Sequence, residues 1–164
     1  MRSTRFIRPV AGAAAAALVA LAATSCVSSS DASGSSSGGS AFAFGTAGVA
    51  DEATQKIEVE TLDTMRFDPG EVSVSEGETV VFVVTNTGEL PHELTIGDDA
   101  EQERHDEEMA EPGTTGHDHP SSVWLEPGET KEVAWQFGDA GSFLYGCHVP
   151  GHYQAGMVGT ITVE

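Results

Sequence analysis

Three side chains near the C-terminus have the types and spacing that a metal ion needs. Cys147, His152 and Met157 stand at equal five-residue intervals in Cys147-His-Val-Pro-Gly-His152-Tyr-Gln-Ala-Gly-Met157. A thiolate, an imidazole and a weak axial thioether, joined by a second imidazole, form the donor set that suits copper and its one-electron chemistry. Five extended residues would span roughly 17 Å, far more than the separation of two donors on one ion. The chain must therefore fold back between donors, and Pro150-Gly151 and Gly156 supply turn-forming positions for it. For Met157 a place in the apolar core is the competing reading, because thioether contacts to a metal are weak and replaceable.

The second imidazole has two candidates. His92 sits in Pro91-His92-Glu93-Leu94-Thr95-Ile96, a strand-like segment remote in sequence but able to lie beside the strand that leads to Cys147. His148 adjoins Cys147, and neighbours in an extended chain point to opposite faces. His92 is therefore assigned to the ion and His148 to the surface. Cysteine usage agrees with a metal. Only Cys26 and Cys147 are present, and a lone thiol outside the cytoplasm would be oxidised unless something occupies it.

A second group of soft donors lies in residues 97–122. His105, Met109, His117 and His119 stand there among Asp and Glu. One reading is a secondary copper site for capture or hand-off. The other is a solvated acidic loop, since no spacing in it fixes a geometry. Glu101 to Met109 has the composition of a short surface helix.

The elements that must hold the donors read as strands. Lys56–Leu62 and Glu71–Val74 alternate apolar and polar residues, the pattern of a half-buried strand. Thr79–Thr85 is a continuous β-branched run that suits a central strand. Pro91–Ile96, Val123–Leu125, Thr130–Phe137, Ser142–Gly146 and Met157–Val163 follow, separated by Gly, Pro, Asn and Asp clusters, with Phe67-Asp-Pro-Gly70 read as a turn. Short strands at such intervals predict an all-β antiparallel sandwich over 56–164 with a long acidic insertion.

The remainder reads as export and tethering. Arg2, Arg5 and Arg8 precede an apolar run from Val10 to Ala23, too short to span a bilayer comfortably, which marks 1–25 as a secretory signal. Leu21-Ala-Ala-Thr-Ser-Cys26 resembles the lipobox of bacterial lipoproteins, with Ala23 where such boxes usually carry Leu. That resemblance implies lipidation of Cys26; ordinary cleavage nearby is the alternative. Residues 26–55 open on a Ser/Gly-rich stretch and are assigned to a flexible tether holding the domain roughly 30 Å from its anchor. The expected location is outside the cytoplasm, lipid-anchored on the outer face of the cytoplasmic membrane or periplasmic. With Arg2, Arg5 and Arg8 removed, Lys56, Arg66, Arg104 and Lys131 face all 26 acids. Such a surface repels nucleic acid and favours a protein partner with a basic docking face.

The segment Tyr145-Gly-Cys-His-Val-Pro-Gly-His-Tyr-Gln-Ala-Gly-Met-Val-Gly-Thr-Ile-Thr-Val163 resembles the ligand loop and last strand of the cupredoxins, the plastocyanin, azurin and rusticyanin superfamily. Phe67-Asp68-Pro69 with Val72, Val74 and Gly77-Glu78-Thr79-Val80 resembles their N-terminal half, and Pro91-His92-Glu93-Leu94 their first-ligand segment. The resemblance implies a Greek-key sandwich holding one type 1 copper that cycles between Cu(I) and Cu(II). Two positions depart from it: Glu93 stands where many members carry Asn, and His148 is unusual directly after the ligand Cys. The insertion is similar to that of periplasmic cupredoxins associated with copper tolerance. The expected role is single-electron carriage to or from a cytochrome or a copper oxidase or reductase, with copper buffering for tolerance as the alternative. An enzymatic role is not expected, because six His in all are too few for further catalytic copper centres.

Overall fold

A computed structural model of the chain describes residues 41–114 and 116–164. Eleven strands and one helix follow one another as β1 (Ala41–Phe42), β2 (Gly45–Ala47), β3 (Gln55–Leu62), β4 (Arg66–Asp68), β5 (Glu71–Val74), β6 (Thr79–Asn86), β7 (His92–Gly97), α1 (Asp99–Met109), β8 (Ser122–Leu125), β9 (Thr130–Phe137), β10 (Gly141–Gly146) and β11 (Val158–Val163), with a single 3-10 turn at Ala50–Glu52. They form two sheets, one in the order β1-β2-β9-β6-β3-β4 and the other β5-β11-β10-β7-β8. Val59, Phe82, Val84 and Trp135 from the first sheet meet Leu94, Ile96, Tyr145 and Ile161 from the second in a shared, fully buried core.

The predicted β-sandwich is thus present, but its sheets are mixed rather than antiparallel. β3 runs parallel to β6, and β5 parallel to β11. Both pairs join strands that no hairpin connects: between β3 and β6 the chain adds β4 and then crosses to the other sheet as β5, and β11 reaches β5 from the far end of the sequence. Alternation of apolar residues fixes which face of a strand is buried, whereas pairing partners and direction come from tertiary packing. β4 is also a strand, where the sequence suggested a turn; it buries Phe67 and pairs with the end of β3.

The boundary set at residue 55 moves. Residues 41–55, assigned to the tether by composition, belong to the sandwich as far as they are described. β2 pairs antiparallel with β9, and β1 pairs with β2. Phe44 is buried and stacks on Trp135 at 4.9 Å, while the Trp135 indole N–H donates to the Phe44 carbonyl at 3.3 Å. Phe44, with Phe42 partly buried beside it, brings the short apolar segment after the Ser/Gly-rich stretch against the core. The expected signal, Cys26 and the Ser/Gly-rich stretch lie outside the described residues.

The acidic insertion opens with the expected surface helix, 11 residues long, which begins two residues earlier than the composition suggested and buries one side. Asp98 caps it by accepting from the Glu101 amide at 2.9 Å, and Arg104 ties Glu101 and Glu108 together on its outer side. Its inner side buries Glu101, Gln102, His105 and Met109. α1 lies on the outer face of β7 and β10, and two glycines allow that approach. A Cβ at Gly97 would meet the Glu101 side chain at 2.6 Å, and one at Gly146 would meet Gln102 Oε1 at 2.5 Å and the Tyr153 ring at 2.7 Å.

Candidate metal centre

The four expected donors come from two adjacent strands of the second sheet and the loop that follows. His92 opens β7, Cys147 follows β10 directly, and His152 and Met157 lie in the loop before β11. β7 and β10 are hydrogen-bonded neighbours, with Gly146 opposite Thr95, so the remote histidine arrives beside the cysteine through strand pairing. The loop folds back as its spacing requires. His152 N–H donates to the Val149 carbonyl at 2.9 Å, Met157 N–H to the His152 carbonyl at 3.1 Å, and Cys147 N–H to the Met157 carbonyl at 3.2 Å. Gly151 and Gly156 take φ of +90° and +92°, a conformation that side chains with a Cβ rarely adopt.

One ligand atom each from His92, Cys147 and His152 lie within 4.8 Å of one another, and this is the one such cluster of His, Cys, Asp and Glu among the described residues. Cys147 Sγ is 3.4 Å from His152 Nδ1 and 4.0 Å from His92 Nδ1, so both imidazoles turn the same nitrogen towards the sulfur. His92, Cys147 and Met157 are fully buried; His152 is partly exposed. Met157 is held in the same loop through its backbone bond from Cys147, and its side chain belongs to the core cluster.

The electrostatics favour a cation. Burial pushes the Cys147 thiol up to about 12, against the opposing pull of the Val149 and Glu93 amides. Such a thiol gives up its proton at neutral pH only to a positive charge, and a coordinated metal supplies one. Burial, and after it the neighbouring His92, lowers the pKa of His152, which keeps a ring nitrogen free to ligate. A soft sulfur beside two neutral imidazoles in a buried, preformed cluster fits copper.

Asp63 was not anticipated. It lies between β3 and β4, its Oδ1 is 3.2 Å from His92 Nε2, and it accepts the Glu89 and Leu90 amides at 2.8 and 3.2 Å. It thereby fixes the tautomer that leaves His92 Nδ1 facing Cys147, the usual carboxylate partner of a ligating histidine. The bond to the Glu89 amide, ahead of the other contacts, holds the Asp63 carboxyl below the ordinary range. Only the position of Asp63 just after β3 hinted at this, and a hydrophilic turn has many such acids.

The residues flanking the ligands form a second polar layer. Glu93 is fully buried. Its amide donates to Cys147 Sγ at 3.3 Å, and its carboxylate accepts from His105 Nε2 at 2.8 Å, Ser122 Oγ at 2.9 Å and the His148 amide at 3.3 Å. His148 points away from the cysteine as expected, but not to the surface. It is buried beneath α1, with Nε2 2.8 Å from Gln102 Oε1, Nδ1 3.2 Å from Asp106, and its ring stacked on Tyr153 at 4.6 Å. The outer face of this sheet is covered by the insertion, so alternation sent His148 under the helix.

The four candidate secondary donors are not gathered at one point. His105 is buried and bonded to Glu93, with its Nδ1 3.8 Å from Glu108. Met109 is buried on the inner side of α1. His117 is exposed with Nε2 3.8 Å from Glu108, and His119 bonds Ser121 and meets the Phe42 ring edge-on.

Residues 53–164 match the family described as copper binding proteins, plastocyanin/azurin family. The chain belongs to that family. This cupredoxin is 41% identical over 121 residues to a protein of Rubrivivax gelatinosus named copper-resistant cuproprotein CopI, covering 74% of this chain and 73% of the relative. A protein of the same name from Pseudomonas aeruginosa is 38% identical over 151 residues, covering 74% of this chain and 83% of the relative. It therefore groups with the copper-tolerance cupredoxins. Among solved structures, an auracyanin from the photosynthetic bacterium Roseiflexus castenholzii superposes with a TM-score of 0.61 at 24% identity, over 68% of this chain and 98% of that one, a likeness of fold. β1 and β2 precede the matched stretch, so this edge of the first sheet lies outside what the family description covers.

Proposed function

We propose that this cupredoxin serves copper tolerance at the cell envelope, binding one copper ion through His92, Cys147, His152 and Met157. The observation that carries the reading is the His92–Cys147–His152 cluster in a chain that has copper-resistant cuproproteins among its relatives. Bound copper would supply exchange between Cu(I) and Cu(II), one electron at a time. The protein's own part is to hold the donors at nearly fixed separation. Strand pairing sets His92 against Cys147, the loop bonds set His152 and Met157, and Asp63 holds the His92 ring. Export through residues 1–25 and a lipid on Cys26 would place the site outside the cytoplasm.

Single-electron carriage is the second reading. The partly exposed His152 in an otherwise buried donor set favours it, because an imidazole edge reaching solvent gives electrons a short way out. An acidic surface would then meet a basic face on a cytochrome or copper oxidase. Neither reading makes the chain an enzyme.

Copper loading tests the site, and growth tests its use. The Cu(II)-loaded full chain should show an intense thiolate-to-copper absorption that Cys147→Ser abolishes; absorption that survives the substitution would remove the assignment. A copper-sensitive deletion strain should regain growth in copper with the wild-type chain and not with Cys147→Ser. Equal rescue by both would refute the tolerance role of this site. Rapid electron exchange with an envelope cytochrome, with no growth effect in copper, would establish the carrier instead.

A further inference from the structure

The acidic insertion meets the residues beside the copper ligands at two buried points, Gln102 against His148 and His105 against Glu93, and the second pairs a carboxylate with an imidazole. Along β7, His92, Leu94 and Ile96 turn inward, and Glu93, Thr95 and Gly97 turn outward beneath α1. On that outer face the Glu93 carboxylate is fully buried. A carboxylate only accepts hydrogen bonds, so the nitrogen of His105 that meets it at 2.8 Å carries a proton. Burial lowers the pKa of His105, but its bond to Glu93 and the charges of Glu93 and Glu108 outweigh that and raise it. The other basic side chain of the helix, Arg104, pairs with Glu101 and Glu108.

We propose that His105 is a positioning residue for the copper site, acting through Glu93. The inference rests on the copper assignment made above and adds to it a role for the insertion. Glu93 holds both chain segments that carry the buried ligands. Its backbone N–H, next to His92, donates to Cys147 Sγ at 3.3 Å, and its carboxylate takes the amide of His148, next to Cys147, at 3.3 Å. Hydrogen bonding to a ligating sulfur drains charge from it and tunes the potential of the metal it binds. His105 fixes the carboxylate that anchors this arrangement and balances its charge. Ser122, the remaining side-chain partner at 2.9 Å, is a neutral hydroxyl and does not.

Removing His105 leaves a buried carboxylate without its charged partner, which is costly and drives it to rearrange. The N–H to sulfur bond then loosens and uncompensated negative charge lies near the thiolate. Both changes favour Cu(II). In the Cu(II)-loaded full chain, His105→Ala should shift the Cu(I)/Cu(II) ratio at a fixed poise about tenfold towards Cu(II), a fall of ~59 mV for one electron. It should also change the relative intensities of the thiolate-to-copper bands. His105→Gln, which keeps an N–H for Glu93, should recover the band shape in large part. It also carries the test should the alanine variant fail to fold, by a lowered potential with near-normal bands.

Asp98→Ala provides the control. It removes the side-chain cap of α1 without touching Glu93. It should lower thermal stability and leave potential and spectrum at wild-type values. The proposal is overturned if His105→Ala, or His105→Gln in its place, keeps the wild-type potential and bands. It is equally overturned if Asp98→Ala moves them as far. A wild-type chain without a thiolate-to-copper band would remove the copper assignment itself, whereas a normal wild-type band with a potential unmoved by the His105 variants refutes this inference alone.

Discussion

Phe44→Ala tests whether residues before 56 belong to the folded domain. Phe44 is 2% exposed, stacks on the fully buried Trp135 with ring planes 19° apart, and meets Phe42 at 5.2 Å and Phe143 at 6.4 Å. Truncating a buried Phe removes on the order of 150–250 Å² of contact, and at about 25 cal/mol per Å² that is ~4–6 kcal/mol. Core Phe→Ala changes cost about 3–5 kcal/mol. β2 is a short strand near the edge of its sheet and can partly close the gap, so the low end, about 3 kcal/mol, is expected. For a domain of this size that lowers Tm by roughly 10 °C. Urea or thermal unfolding should be followed on copper-free protein, since a bound ion would add its own stabilisation. A chain beginning at residue 56 should lose at least as much, because it uncovers Trp135 as well. A loss under about 1 kcal/mol for Phe44→Ala, or equal stability for chains starting at 41 and at 56, would refute the packing described here.

Three further outcomes follow from the site and its surroundings. Asp63→Ala frees the His92 ring and should weaken copper binding ~10–100-fold in a chelator competition; unchanged affinity would mean that Asp63 does not orient the ligand. Gly146→Ala places a methyl group against Gln102 and Tyr153 and should cost ~1–3 kcal/mol in urea unfolding; a neutral result would show α1 free to lift. His105 has its pKa raised in the folded chain, so its stabilising contribution is present in full below the unfolded value near ~6.5 and fades as pH climbs through the folded one. The stability gap between wild type and His105→Gln in copper-free protein should therefore be wider at about pH 6 than at about pH 9; a gap that grows with pH would reverse the sign.

Local chemistry in the sequence was sufficient for the centre of the molecule. The Cys147–His152–Met157 spacing with its turn residues fixes a loop that must close on itself, and strand alternation around His92 fixes the face it presents. β5 begins and ends where its alternation does, and β9 spans the predicted Thr130–Phe137. These features are short-range, and side-chain type and chain geometry decide them without reference to the rest of the fold.

What the sequence did not decide depends on which surface lies opposite. Whether a strand pairs parallel or antiparallel is set by where the chain returns, so the β3–β6 and β5–β11 pairs became visible only in three dimensions. Phe42 and Phe44 stand just after a Ser/Gly-rich stretch whose composition drew the boundary beyond them, and Trp135 gave them a place in the domain. His148 was correctly directed away from Cys147, but what waits on that side is a helix and not water. Glu93, His105 and Asp63 acquired their roles from contacts 12 to 54 residues apart in sequence. Cys147 and His152 were marked by their spacing and His92 by its strand, and the structure gathers these three; the carboxylates beside them, Asp63 and Glu93, are placed by packing, because a hydrogen bond requires a partner that only the folded chain brings within reach.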